Sequence, residues 1–195
     1  MDITEELRIS EFMERLASAD PTPGGGGASA LVGAQAAALA EMAARITAGN
    51  PKYAAVTEEM ETCAAKAATY RQKMLRLIGA DAKAFAGLLA VWKRPRTDAA
   101  RETMLREATA VATEIPLQLA EQAAATVALA RRLLPQVTPS IRADADLAVL
   151  FGCAAVEGAL HNVRLNMVDW PNDHQRTIWE ERVQAVMRQV AIDVE

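Results

Sequence analysis

Residues 28–48 read Ala-Ser-Ala-Leu-Val-Gly-Ala-Gln-Ala-Ala-Ala-Leu-Ala-Glu-Met-Ala-Ala-Arg-Ile-Thr-Ala. The stretch is apolar almost all round, which places a helix at the centre of a bundle rather than on its surface. Its apolarity comes from alanine, the strongest helix former and the side chain that lets neighbouring helices approach most closely. Glu41 and Arg45 interrupt it within about 20 residues, so it does not read as a membrane span. The rest of the chain has the same character: 51% of its 195 residues are apolar but only 4% are aromatic. That composition predicts tightly packed helices rather than a sandwich or barrel, and the length suits a single domain over residues 1–195.

Upstream of this helix, Asp20-Pro21-Thr22-Pro23 and the run Gly24 to Gly27 cannot continue a helix, so the central one is predicted to start near Ala28. Before the break, Ile9, Phe12, Met13 and Leu16 fall at i, i+3, i+4 and i+7, one face of an amphipathic helix over residues 4–18 with Thr4 placed to cap it. Downstream, Asn50-Pro51 opens a helical pattern that runs to about Trp92, with an interruption expected at Gly79. A loop, Lys93 to Asp98, leads to a helix over 99–134 in which Pro116 predicts a kink. Ser140 is placed to cap a helix over 141–166, and Pro171-Asn172-Asp173 separates that from a last helix over 174–192. The expected fold is an all-α, single-domain bundle of about six to eight helices, several of them long.

The net charge of −4 argues against nucleic acid as a partner, and an anionic small molecule would need a local basic patch. Cys63 and Cys153 lie in apolar helical stretches without a C-x-x-C partner, which argues against a disulfide framework or a zinc knuckle and points to a reducing cytoplasm. The opening Met-Asp-Ile-Thr-Glu-Glu is the reverse of a signal peptide's basic start, so export is not expected. His161 and His174 have no partner at metal spacing, so no metal site is expected.

Several residues sit where a core helix would not put them. Asp81 continues the stripe of Ala84, Phe85, Leu88 and Val91, which aims a carboxylate at the core. Burial would raise its pKa and make it usable as a general acid or base near neutral pH; alternatively, Asp81 caps a helix that starts at Gly79. Asp144 lies on the line of Leu147, Ala148, Phe151 and Ala155, continued by Gly158 and Asn162, and is either a site residue or a first-turn acid complementing the helix dipole. Asp144 and Asn162 are about 27 Å apart along one straight helix, so both serve one small centre only across two subunits or with an extended ligand. The glycines at 24–27 suit close approach of a carboxylate, a phosphate or a heteroaromatic ring, or else mark a turn where a bulkier residue would clash. Lys93, Arg94 and Arg96 either receive a polyanionic tail or form an ordinary solvated loop.

Four motifs in register carry a resemblance: Pro21-Thr22-Pro23-Gly24-Gly25-Gly26 opening the alanine-rich helix, Asp81-Ala82-Lys83-Ala84-Phe85, Glu114-Ile115-Pro116-Leu117, and Ala159-Leu160-His161-Asn162-Val163-Arg164-Leu165-Asn166. Together they resemble the cyclodeaminase/cyclohydrolase family, which includes the helical domain of formiminotransferase-cyclodeaminase and stand-alone methenyltetrahydrofolate cyclohydrolases. The resemblance covers almost the whole chain. It implies a helical homodimer, without a bound cofactor, acting on a tetrahydrofolate one-carbon adduct, with Asp81 as catalytic acid/base. It implies further that Gly24, Gly25, Gly26, Gly27, Asp144, Asn162 and Arg164 shape the folate pocket; Lys93, from the basic loop nearest Asp81 in sequence, is the further candidate for substrate binding. Family members often carry serine where Gly27 and Ala143 stand here, so two hydroxyls are absent, although Ser29 lies near the first. The activities expected are hydrolysis of methenyltetrahydrofolate or cyclodeamination of formiminotetrahydrofolate; a ligand-binding or partner protein that has lost the chemistry is the non-enzymatic alternative.

Overall fold

The alanine-rich stretch forms the central helix. In the computed structural model, which describes residues 6–191, α2 spans Gly25–Ala48, and Ala30, Ala36, Ala37, Ala40, Ala43 and Ala44 are wholly buried along it. Two long helices, α3 (Thr57–Trp92) and α5 (Arg142–Met167), lie against α2, and α4 (Arg101–Leu133) packs on both of them. A short α1 (Ile9–Leu16) sets Phe12 into the core, and α6 (His174–Ala191) closes over α4 through Trp179, Val183 and Val186. Two 3-10 turns, Pro51–Val56 and Pro139–Ile141, lead into α3 and α5. Among the described residues there is no strand, and no helix is long and apolar enough to cross a membrane. The six α-helices of the described residues form the all-α bundle that composition and spacing predict.

Four predicted boundaries are corrected. The central helix begins at Gly25, not Ala28, so Gly25, Gly26 and Gly27 are its first turn rather than part of the break. Gly79 does not interrupt α3; it is buried inside the helix and the chain runs on without a break to Trp92. The first helix starts at Ile9, and Thr4, expected to cap it, lies outside the described residues. Ser140 caps nothing: it sits in the turn before α5, its hydroxyl 3.0 Å from that of Thr138.

The polar interruptions of α2 are paired. Glu41, only 8% exposed, accepts from Nε and Nη2 of Arg45 and from Nε of Arg71 on α3. Burial pushes its carboxyl up, but the two guanidinium groups more than offset that and hold it below its ordinary value. The pairing lets a charged residue sit in an alanine seam without an unmet charge.

Pro116 is fully buried within α4, which continues on both sides of it. Proline brings no N–H, so the carbonyl of Ala112 one turn earlier loses its helical donor. Asn166 of α5 supplies the replacement, its Nδ2 donating to that carbonyl at 2.7 Å. Two of the motifs noted in the sequence, one around Pro116 and one ending at Asn166, therefore meet in a single hydrogen bond. Asn166→Leu is expected to lower stability by about 1 to 3 kcal/mol, the cost of leaving a buried carbonyl unmet. Adding Pro116→Ala should recover part of the loss by restoring the helical N–H; thermal unfolding of the two single variants and the double variant reads the coupling.

Glu114, two residues before that proline, fixes α6. Arg182 donates through Nη1 and Nη2 to Glu114 at 2.8 and 2.9 Å and through Nε to Glu121 at 2.7 Å, and the Trp179 indole also donates to Glu114. Burial pushes the Glu114 carboxyl up, and Arg182, Gln118 and Trp179 together pull it below its ordinary value. A carboxylate with a depressed folded pKa stabilises the fold above its unfolded pKa, and that contribution is lost as pH falls through the folded value. Arg182→Leu should therefore cost about 1 to 2 kcal/mol at neutral pH, the remaining exposure of the group limiting the effect. The gap in melting temperature to wild type should close on acidification below the carboxylate range.

Candidate active site

Because α3 runs unbroken past Gly79, Asp81 is a mid-helix residue and the capping alternative is ruled out. Its side chain crosses to the first turn of α2. A Cβ placed on Gly26 would lie 2.5 Å from Cγ and 2.7 Å from Oδ2 of Asp81, and closer still to Oδ1. The missing side chain at Gly26 is what gives the carboxylate its place.

The N-cap of α2 is Gly24, which has no side chain with which to meet the free amides of the first turn. Asp81 takes that part from another helix, accepting a hydrogen bond from the Gly27 amide. Burial pushes the Asp81 carboxyl above its ordinary range, and the Gly27 amide offsets only part of the rise. The amides of Gly25 and Gly26 belong to the same turn, where the positive end of the helix dipole favours developing negative charge. Asn162 of α5 stands on the other side. Its Nδ2 donates to the Gly158 carbonyl at 2.9 Å and lies 3.8 Å from where a Cβ on Gly25 would be, which leaves Oδ1 as an acceptor beside the turn.

The structure thus brings together Asp81, the glycine turn and Asn162. Three other predicted site residues lie apart from them. Lys93 is the exposed C-cap of α3, about 18 Å along the helix from Asp81. Arg164 is exposed on α5, with Nη2 3.6 Å from Sδ of Met187. Asp144 is half-buried in the first turn of α5, at the far end from Asn162, whereas Asp146 is exposed. Within one chain Asp144 occupies the place of a first-turn acid.

The two departures from the family pattern fall differently than the sequence suggests. A Cβ at Gly27 would face Pro23 at 3.3 Å and Ile78 and Phe12 at 3.9 Å, so a serine there would start from an apolar wall rather than from Asp81. Ala143 is exposed at the start of α5. Ser29 does not replace either hydroxyl: it donates to the Gly25 carbonyl at 2.8 Å and packs where a side chain on Gly158 would stand, so it ties α2 to α5.

Sequence reasoning missed a cleft of about 450 Å³ beyond the start of α2. Leu88 and Trp92 of α3, Leu105 and Arg106 of α4, and Leu165 and Trp170 line it. The signal was present in the spacing: Asp81, Phe85, Leu88 and Trp92 share one helical stripe, as do Asn162, Leu165, Asn166 and Asp169. Phe85 and Trp92 meet edge to face at 6.2 Å between ring centroids.

A half-buried carboxylate whose pKa is raised by desolvation, beside a helix N-terminus, can take a proton from water and return it to a leaving nitrogen. Comparison with known proteins gives the family. The family model described as formiminotransferase-cyclodeaminase matches residues 8–185. The chain is 34% identical over 162 residues to a methenyltetrahydrofolate cyclohydrolase of Methylorubrum extorquens, covering 81% of this chain and 78% of the relative. It is 26% identical to the formimidoyltransferase-cyclodeaminase of Rattus norvegicus, covering 94% of this chain but only 35% of that longer protein. The crystal structure of a formiminotetrahydrofolate cyclodeaminase from Thermotoga maritima superposes with a TM-score of 0.88 at 26% identity, over 95% of this chain and 91% of the other. The chain belongs to the formiminotransferase-cyclodeaminase family.

Proposed function

We propose that this chain is a methenyltetrahydrofolate cyclohydrolase, with Asp81 as its general acid/base. The observation that carries the reading is the Asp81 carboxylate, desolvated and seated on the Gly26–Gly27 turn; the 34% identity to a cyclohydrolase over most of the chain supports the choice of substrate. Ionised Asp81 takes a proton from water as the water oxygen bonds to the methenyl carbon, which joins N5 and N10 of the folate. The amides of Gly25 and Gly26 offer donors to the oxygen that has added. Asp81 then returns the proton to N5 as the carbon–N5 bond breaks, and the carbinol proton leaves to solvent. The product is the N10-formyl compound, with one net proton released.

Cyclodeamination of formiminotetrahydrofolate is the second reading, supported by the structural match to a cyclodeaminase. There N10 attacks the formimino carbon carried on N5, and Asp81 takes the N10 proton and delivers it to the amino group, which departs as ammonia as the C–N bond breaks. Parallel assays separate the readings: loss of methenyltetrahydrofolate absorbance above the spontaneous rate is expected, without ammonia release from formiminotetrahydrofolate at comparable efficiency. The reverse pattern makes the chain a cyclodeaminase, and binding without turnover of either makes it the non-enzymatic relative.

We place the enzyme in the cytoplasm as a homodimer. Leu147 and Leu150 are 40% and 63% exposed beside Asp144 on α5, a face that a second copy would cover. Such a dimer is the arrangement in which Asp144 of one copy reaches the site of the other.

A further inference from the structure

The cleft beyond α2 continues into a second one of about 520 Å³, the two sharing Glu102 and Leu105. Arg96 and Arg101 line the second cleft, with Lys93 on the same loop. Their ion pairing differs from that of their neighbours. Arg94 is spent on Asp98, and Arg106 is held by Asp173 while its guanidinium stacks 5.0 Å above the Trp170 ring. Arg96 and Lys93 form no ion pair among the described residues, and the Nε of Arg101 is buried without a hydrogen-bond partner. A buried guanidinium nitrogen with nothing to donate to is costly unless a ligand completes it.

Along α3, Asp81, Leu88 and Trp92 lie in a row, Leu88 about 10 Å and Trp92 about 16 Å further along the helix axis than Asp81, and the Trp92 indole leans back to 6.2 Å from the Phe85 ring. The order is therefore a proton-transfer group, then an apolar cleft with an indole half exposed, then unpaired cations. A folate has the same order on one side of its reacting carbon. N10 is the anilino nitrogen of the p-aminobenzoyl ring, and the anionic glutamate follows that ring; the uncharged pterin leaves through N5 in the other direction.

We propose that the p-aminobenzoyl ring lies in the cleft between Trp92 and Leu165, and that Arg96 and Arg101 bind the glutamate carboxylates. The inference rests on the folate reading and assigns the polarity with which the substrate lies on the protein. The cleft also carries Glu102 and Asp169, so the cations at its far end, not its overall charge, select the anion. Arg96 and Arg101 are specificity-determining residues, without a part in proton transfer.

The test is a binding titration of wild type, Arg96→Gln, Arg101→Gln and Trp92→Ala with 5-formyltetrahydrofolate and with 5-formyltetrahydropteroate, which lacks only the glutamate. Wild type should prefer the glutamate form by tenfold or more. Each arginine variant should lose most of that preference while binding the pteroate form as wild type does, and Trp92→Ala should weaken both ligands. Arg96 is exposed, so its variant keeps the test valid if Arg101→Gln folds poorly. Retention of the glutamate preference in both arginine variants overturns the proposal, and if Trp92→Ala still weakens both ligands it places the pterin in the cleft instead. If wild type binds neither compound, the folate reading itself falls, and this inference with it.

Discussion

Asp81→Asn should leave a folded protein whose turnover of methenyltetrahydrofolate is lower by a factor of about 10² to 10⁴, the range in which a positioned acid/base contributes. The amide keeps the size of the carboxyl and still offers an oxygen to the Gly27 amide, so the seat on α2 is retained while the proton carrier is lost. Stability should move the other way. Asp81 has a raised folded-state pKa, so its protonated form is the one the fold prefers. Relative to a group with no shift, it contributes stability below its unfolded pKa and loses that contribution as pH rises through the folded value. At neutral pH the ionised carboxylate is a burden that asparagine removes, so the variant should melt at the same temperature as wild type or above it. The advantage should disappear on acidification. A variant less active and no less stable marks a residue kept for chemistry rather than for packing.

Gly26→Ala should be nearly as damaging to turnover, although it leaves every polar group in place. Alanine is the better helix former by roughly 1 kcal/mol. Its Cβ, however, would fall 2.5 Å from Cγ of Asp81, so the carboxylate must leave its seat or the two helices must part. We expect turnover to fall about 10²-fold, the cost of a displacement of about 1 Å at a reacting group. The melting temperature should change little, since the propensity gain offsets part of the steric cost. Pairing Gly26→Ala with Asp81→Asn gives a check on cause. If glycine matters only by seating the carboxylate, the double variant should be no slower than Asp81→Asn alone.

Much of this was legible in the sequence. The helical class followed from alanine content, and Asp81 stood out because a carboxylate on the stripe of Ala84, Phe85 and Leu88 contradicts that face. The glycine run is legible as a place of close approach, but not as the first turn of a helix. Four consecutive glycines argue against a helix from local propensity; here burial against α3 and the Asp81 carboxylate at the first turn override it. Gly79 signals a break on the same local grounds and makes none, since a lone glycine costs a long buried helix far less than its packing returns. The bond from Asn166 to the Ala112 carbonyl needs two helices 54 residues apart in sequence, and no periodicity announces it. Nor does spacing along one chain decide how Asp144 relates to Asn162, because both sit on one helix while the proposed use of both runs through a second copy.

The role of Asp81 is read most directly from the pH dependence of kcat/KM for methenyltetrahydrofolate hydrolysis, corrected at each pH for the uncatalysed rate, in wild type and Asp81→Asn. With Asp81 as the proton carrier, the wild-type rate should rise with pH through a single ionisation lying above the ordinary aspartate range, and the variant should keep only a slow residual rate with that ionisation gone. The same ionisation in both proteins, or a variant as fast as wild type, would contradict that role.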